Sequence, residues 1–108
     1  MAFKSKASAS IGLSASPTTV TDTVASGATQ TIIGLSLANI VSSNITVSAK
    51  LVKSGGASSF LVKDATVLPG GALVIVGGDQ KIVLEAGDSI TAYASASSSA
   101  DVVVSYLT

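Results

Sequence analysis

The chain contains no cysteine, histidine, arginine or tryptophan, and only two tyrosines and two phenylalanines. Each absence removes a class of chemistry. Without cysteine there is no disulfide and no thiolate nucleophile, and without cysteine and histidine together there is no Cys/His zinc site. Without histidine the commonest general acid–base residue is missing, and with it any Ser-His-Asp triad. Serine is plentiful, but lysine would be the only base left to activate it, and no Ser/Lys spacing supports that. Without arginine the usual bidentate reader of phosphate and guanine is gone. Six lysines balance six acidic residues for a net charge of zero, so no basic patch exists for nucleic acid.

Charge of either sign is scarce, at 11% of residues, against about 25% in an average soluble domain. Apolar residues make up 47%, and 19 Ser, 10 Thr and 16 Ala supply much of the rest. The surface must therefore be built largely from hydroxyls, small apolar groups and backbone. Little charge is left to oppose self-association. We expect much of the surface to be covered by neighbouring subunits, in a homo-oligomer or lattice; a Ser/Thr-rich monomer is the alternative.

A length of 108 residues suits one domain. Lys4 and Lys6 are followed by a stretch over Ala7–Thr19 that Ser and Thr interrupt, so no secretory leader is expected. The longest uncharged run, Thr23–Ala49, could span a bilayer by length, but Gln30, Asn39, Asn44 and many hydroxyls argue against a membrane helix. No membrane association is expected.

The dominant pattern is strand-like. In Val67–Leu84 two β-branched runs, Leu73–Val76 and Ile82–Leu84, flank Gly77-Gly78-Asp79. Pro69-Gly70-Gly71 precedes them, and Glu85-Ala86-Gly87-Asp88 follows as a tight turn in which Gly supplies positive φ and Asp bonds local backbone. Ile45–Lys53 alternates most cleanly, with Ile45, Val47, Ala49 and Leu51 on a core face and Thr46, Ser48, Lys50 and Val52 opposite. Ala28–Val41 is read as a strand with Ile33, Leu35, Leu37 and Asn39 on one side and Ile32, Gly34, Ser36 and Ala38 on the other. Ser59–Lys63 is a short strand ended by Lys63-Asp64, and Ser89–Ala96 and Ala100–Thr108 complete the series. Ser10–Val24 is an edge strand, or two short strands broken at Pro17, because proline cannot donate to a central ladder. Residues 1–9 are read as a flexible arm, or one ordered only against a partner, ahead of a single domain over 10–108. About eight strands with short Gly/Ser turns and no sustained helical period predict an all-β fold, an antiparallel β-sandwich or jelly-roll-like barrel.

Motifs for small-molecule chemistry are absent. Gly70-Gly71 and Gly77-Gly78 lack the Lys-Ser or Lys-Thr of a phosphate loop, and no helix follows. Asp79, Glu85, Asp88 and Asp101 could meet at a cation, but no calcium-loop spacing is present, and acids in solvated turns are the simpler reading. Asn44-Ile45-Thr46 is formally a glycosylation sequon. No cofactor, metal or catalytic residue is expected. The candidate interface residues are Phe3, Tyr93, Val103 and Leu107. Phe3 is either a tail residue or an anchor that docks on an adjacent subunit. Val103 and Leu107 give the final strand a second apolar face that needs a cover.

At Leu68-Pro69-Gly70-Gly71, Leu84-Glu85-Ala86-Gly87-Asp88 and Asp101-Val102-Val103-Val104-Ser105-Tyr106-Leu107, the chain resembles small β-sandwich structural proteins of tailed-bacteriophage virions. Capsid decoration (cement) proteins and some neck or tail proteins are of this kind. The resemblance spans about Ala28 to Leu107 and rests on short words. It implies a non-enzymatic virion subunit, present in many copies and bound to the major capsid protein or another virion component, with no catalytic residues to carry over. A carbohydrate-binding sandwich is the alternative from a different class; it usually presents exposed aromatics, and here four aromatics are available in all.

Overall fold

The computed structural model describes residues 2–11, 13–77 and 79–108. Those residues are all-β, with nine strands in two antiparallel sheets. The strands are β1 (Phe3–Ser8), β2 (Thr18–Thr19), β3 (Thr29–Asn39), β4 (Ile45–Val52), β5 (Ser58–Val67), β6 (Ala72–Val76), β7 (Ile82–Glu85), β8 (Ser89–Ala94) and β9 (Ala100–Leu107). One sheet runs β1-β9-β3-β6 with β7 also on β3; the other runs β2-β8-β4-β5. Leu35, Leu37, Val102 and Val104 from the first sheet and Val47, Ala49, Ile90 and Ala92 from the second share one buried cluster. The architecture is a sandwich, and its core is the apolar layer between the sheets.

The alternation over Ile45–Lys53 sets the β4 face as read from sequence. Ile45, Val47 and Ala49 are buried, and Leu51 packs against the cluster. The turn at 85–88 also forms as expected: Gly87 has φ 83, and Asp88 accepts the Glu85 N–H at 2.9 Å. At Leu68-Pro69-Gly70-Gly71 the Gly71 N–H reaches the Leu68 carbonyl at 2.9 Å with Gly70 at φ 74, the positive value a type II turn needs after proline.

Three sequence expectations change and one is completed. First, most of the supposed arm is a strand: Phe3–Ser8 pairs antiparallel with Leu107–Val102 of the same chain, while Met1 lies outside the described residues. Polar alternation hid it, since β1 buries little. Second, the two strands read around Gly77-Gly78-Asp79 (Gly78 lies outside the described residues) form, and the structure supplies the partner that the sequence left open. Both lie along β3, β6 on Leu35–Ala38 and β7 on Thr29–Ile32, so they act as one interrupted strand. Third, a register shift between Ile32 and Gly34 flips the face of β3, so Ile32 is buried together with Leu35 and Leu37. Fourth, β5 does not end at Lys63-Asp64. It continues to Val67 through two irregularities against β4. Ser48 holds the first of these: its Oγ accepts the Asp64 N–H at 2.9 Å, and Asp64 has φ 52. Among its described residues Ser10–Val24, by contrast, keeps only the two-residue β2 just after Pro17 and otherwise supplies Ile11, Val20 and Val24 to the core.

Candidate interaction face

Residues opposite one another in an antiparallel register point to the same side of the sheet. On β9, Val102, Val104 and Tyr106 are buried, so Val103, Ser105 and Leu107 face outward. Following the register across the sheet gives three outward rows: Phe3, Leu107, Thr31 and Val83; Ser5, Ser105 and Gly34; Ala7, Val103, Ser36 and Val74. None of these residues is charged. Phe3 is 78% exposed, Val74 67%, Val83 53% and Val103 48%. Acidic groups occur only beyond the rows, at Asp101 and Glu85. Water gains little from such a surface, because its polar groups are hydroxyls and its larger side chains are apolar.

This geometry brings together three of the four residues singled out from sequence. Phe3 and Leu107 are direct register partners, and Val103 lies two rows away on the same face. Tyr93 is not with them. It sits on β8 in the other sheet, half-buried and opposite Ser48. The exposed Val74 and Val83 complete the face and were missed from sequence, because which side of β6 and β7 faces outward depends on their pairing to β3.

Two ionic clusters brace the molecule. Lys6 Nζ lies 3.0 Å from Asp22, and the Tyr106 hydroxyl donates to the same carboxylate at 2.5 Å. These bonds, first from Tyr106 and then from Lys6, hold the Asp22 carboxyl below its ordinary range and push the Tyr106 hydroxyl up. At the other cluster Lys53 Nζ meets Asp88 at 2.5 Å and Glu85 at 3.3 Å. Asp88 also accepts the Glu85 and Ser54 N–H groups. Lys53, followed by those two amides, lowers the Asp88 carboxyl to about 2, and Asp88 and then Glu85 raise Lys53. An open depression of about 460 Å³ lies here, lined by Gly27, Thr29, Lys53, Ser54, Glu85 and Asp88 among others.

The Lys53–Asp88 contact is close enough to raise the question of amide condensation. That reaction needs a neutral amine and a protonated carboxyl. Both shifts run the other way, so the ion pair is the stable species and its work is to tie the β4–β5 loop to the β7–β8 turn. Asp101 is occupied in the same structural sense, accepting the Ser10 N–H at 2.9 Å. Among the described residues no group of three or more Asp or Glu side chains is placed to hold a metal ion.

Asn39 lies on the buried side with Leu35 and Leu37, as the alternation placed it, and its hydrogen bonds give its role. It is buried, donates to the Ser43 and Val67 carbonyls, and accepts the Val41 N–H. It thereby closes the crossing from β3 to β4.

The fold and this face define an all-β, two-sheet protein whose most distinctive surface is uncharged. No protein-family model, curated protein or solved structure matches the chain.

Proposed function

We propose that the chain is a non-enzymatic structural subunit of a tailed-bacteriophage virion that decorates and stabilises the capsid through contacts with the major capsid protein. The observation that carries this reading is the block of three charge-free rows on the outer face of the five-stranded sheet, with Phe3, Val74, Val83 and Val103 exposed on it. Strands about 4.8 Å apart and rows about 6.8 Å apart give this face an area on the order of 400 Å². A standard interface takes about 800 Å² from each partner. A capsid neighbour would therefore cover the face and reach past it onto an edge or loop. The sequence resemblance supplies the virion context, and the low charge favours a subunit held among many neighbours.

A neck or tail position uses the same surface and is the second arrangement of this reading. A carbohydrate-binding module gains less support: Phe60 is its best-placed aromatic, and Lys50 and Lys63 already lie 4.8 and 5.3 Å from its ring centre.

The test is whether the protein co-purifies with intact particles in fixed stoichiometry, followed by thermal rupture of particles with and without it. A decorating subunit raises the rupture temperature. Identical rupture temperatures, together with sedimentation of the protein as a monomer at high concentration, reject the cementing role. Finding the protein at a single particle vertex moves it to the neck or tail.

A further inference from the structure

The four sheet edges are not alike. An unpaired edge is a template for another strand, and folded proteins blunt such edges with short strands, bulges or breaks. Edge β2 has two residues. Edge β5 carries two register shifts. The edge formed by β6 and β7 is made of two separate short strands, Ala72–Val76 and Ile82–Glu85. Edge β1 has no break or bulge, six residues pairing with β9 in an unbroken register, and its guard is the charge of Lys4 and Lys6.

The backbone of β1 can be assigned direction by direction. Ala2 and Thr108 exchange both N–H···O bonds. Hydrogen-bonded and non-hydrogen-bonded pairs alternate along an antiparallel ladder. Lys4, Lys6 and Ser8 therefore bond inward to β9, while the N–H and C=O groups of Phe3, Ser5 and Ala7 point away from the sheet. The side chains split the same way. Phe3, Ser5 and Ala7 lie on the uncharged face, and Lys4 and Lys6 on the opposite one. Lys6 is held by Asp22, whereas Lys4 makes no ion pair among the described residues.

We infer that the β1 edge accepts an extended segment of a different protein, one that alternates apolar and acidic residues, by strand addition. The charge pattern selects that occupant over a second copy of this chain. In a twofold antiparallel pairing, residues facing each other share a side of the joined sheet. Registers centred on Lys4, Ser5 or Lys6 set lysine opposite lysine, and like charges directly opposite are destabilising; registers centred on Phe3 or Ala7 escape that clash but leave Lys4 without a counter-charge. A partner with Asp or Glu opposite Lys4 and an apolar residue opposite Phe3 satisfies both sides of the strand while the outward backbone groups of β1 gain partners. This inference concerns the edge, and it stands whether or not the partner is a capsid protein.

The test uses the whole chain and two octapeptides, one alternating valine with glutamate and one alternating valine with lysine. Amide exchange of β1, read by NMR, reports pairing. The glutamate peptide is expected to slow exchange at Phe3, Ser5 and Ala7 and to bind roughly threefold to fivefold tighter than the lysine peptide. Lys4→Glu should invert that preference. Ser5→Pro should abolish protection by removing an outward donor while sparing the β9 ladder, with an unchanged melting temperature showing that the sheet is intact. If the two peptides bind alike, if neither protects β1, or if the protein alone dimerises through β1 as concentration rises, the inference is overturned.

Discussion

The outer faces of the two sheets are made from the same small set of residue types and yet differ in kind. On the four-stranded sheet Lys50, Phe60, Lys63, Asp64 and Tyr93 face outward, and the lysines lie over the Phe60 ring. Its one large exposed apolar group is thus dressed by charge, which is how a solvated face keeps an aromatic. On the five-stranded sheet Val74, Val83, Val103 and Phe3 have no charged neighbour within their rows. The difference shows that scarcity of charge is not spread evenly. Most of the few ions are spent on one face, on the β1 edge and on two braces, which leaves the three central rows of the other face uncharged, with Asp101 and Glu85 at their ends.

The largest expected effect tests the register on which both faces depend. Val47 is buried and Lys50 looks outward. Val47→Asp would bury an unpaired carboxylate at a cost of about 4 kcal/mol or more, enough to prevent folding of a marginally stable domain. Lys50→Asp should cost under about 1 kcal/mol. Thermal melts followed by circular dichroism distinguish the two, and equal melting temperatures would show the β4 register to be wrong.

A second comparison places the same charge on each outer face, at Val103 and at Thr91, which lies opposite the outward Lys50 on the four-stranded sheet. Val103→Asp and Thr91→Asp should both fold, each with a stability change within about 0.5 kcal/mol. Binding to particles should separate them. Val103→Asp is expected to weaken binding by about 2 kcal/mol, roughly thirtyfold, and Thr91→Asp to leave it unchanged. Equal losses in a particle-binding titration would mean that the uncharged face is not the contact.

Acid unfolding probes the braces. Asp88 titrates at about 2 in the folded chain against an ordinary value of 3.8. As pH falls, the unfolded state takes up the proton first, so the stability this group supplies is complete above about pH 4 and is lost on the way down to about pH 2. Asp22, also lowered, adds to the loss on the acid side. Asp88→Asn should flatten the pH dependence of the denaturation midpoint in that window while lowering stability at neutral pH. A slope identical to that of the unaltered protein would remove the Lys53–Asp88 brace from the account.

The smallest effect concerns the dressed aromatic. Phe60→Ala should lower stability by about 1 kcal/mol or less, since the ring is partly exposed and its lysine contacts are weak in water. Because Phe60 sits outside the uncharged face, its removal should not change particle binding, as titration of the variant would show.

Much of the local structure was legible in the chain. The alternation of Ile45, Val47, Ala49 and Leu51 named the core face of β4, and Gly87 followed by Asp88 marked a turn with its own acceptor. Of the four interface candidates, Phe3, Val103 and Leu107 lie on one face, while Tyr93 belongs to the other sheet. The Lys53–Asp88 pair was not legible, because 35 residues separate its members and a lysine at a strand end carries no mark of its partner.

Strand content, short turns and the absence of helix follow from the sequence by itself, since β-branching, period-2 alternation and positive-φ glycines act within a few residues. Pairing does not act locally. That β6 and β7 line up along β3, that a bulge returns Ile32 to the core, and that Phe3–Ser8 joins β9 were decided by hydrogen bonds between segments far apart in the chain. A period-2 pattern leaves the choice of neighbour open, and one extra residue in a strand moves every later side chain to the opposite face. Which surface is left uncharged, and which edge is left open, therefore came from the tertiary structure.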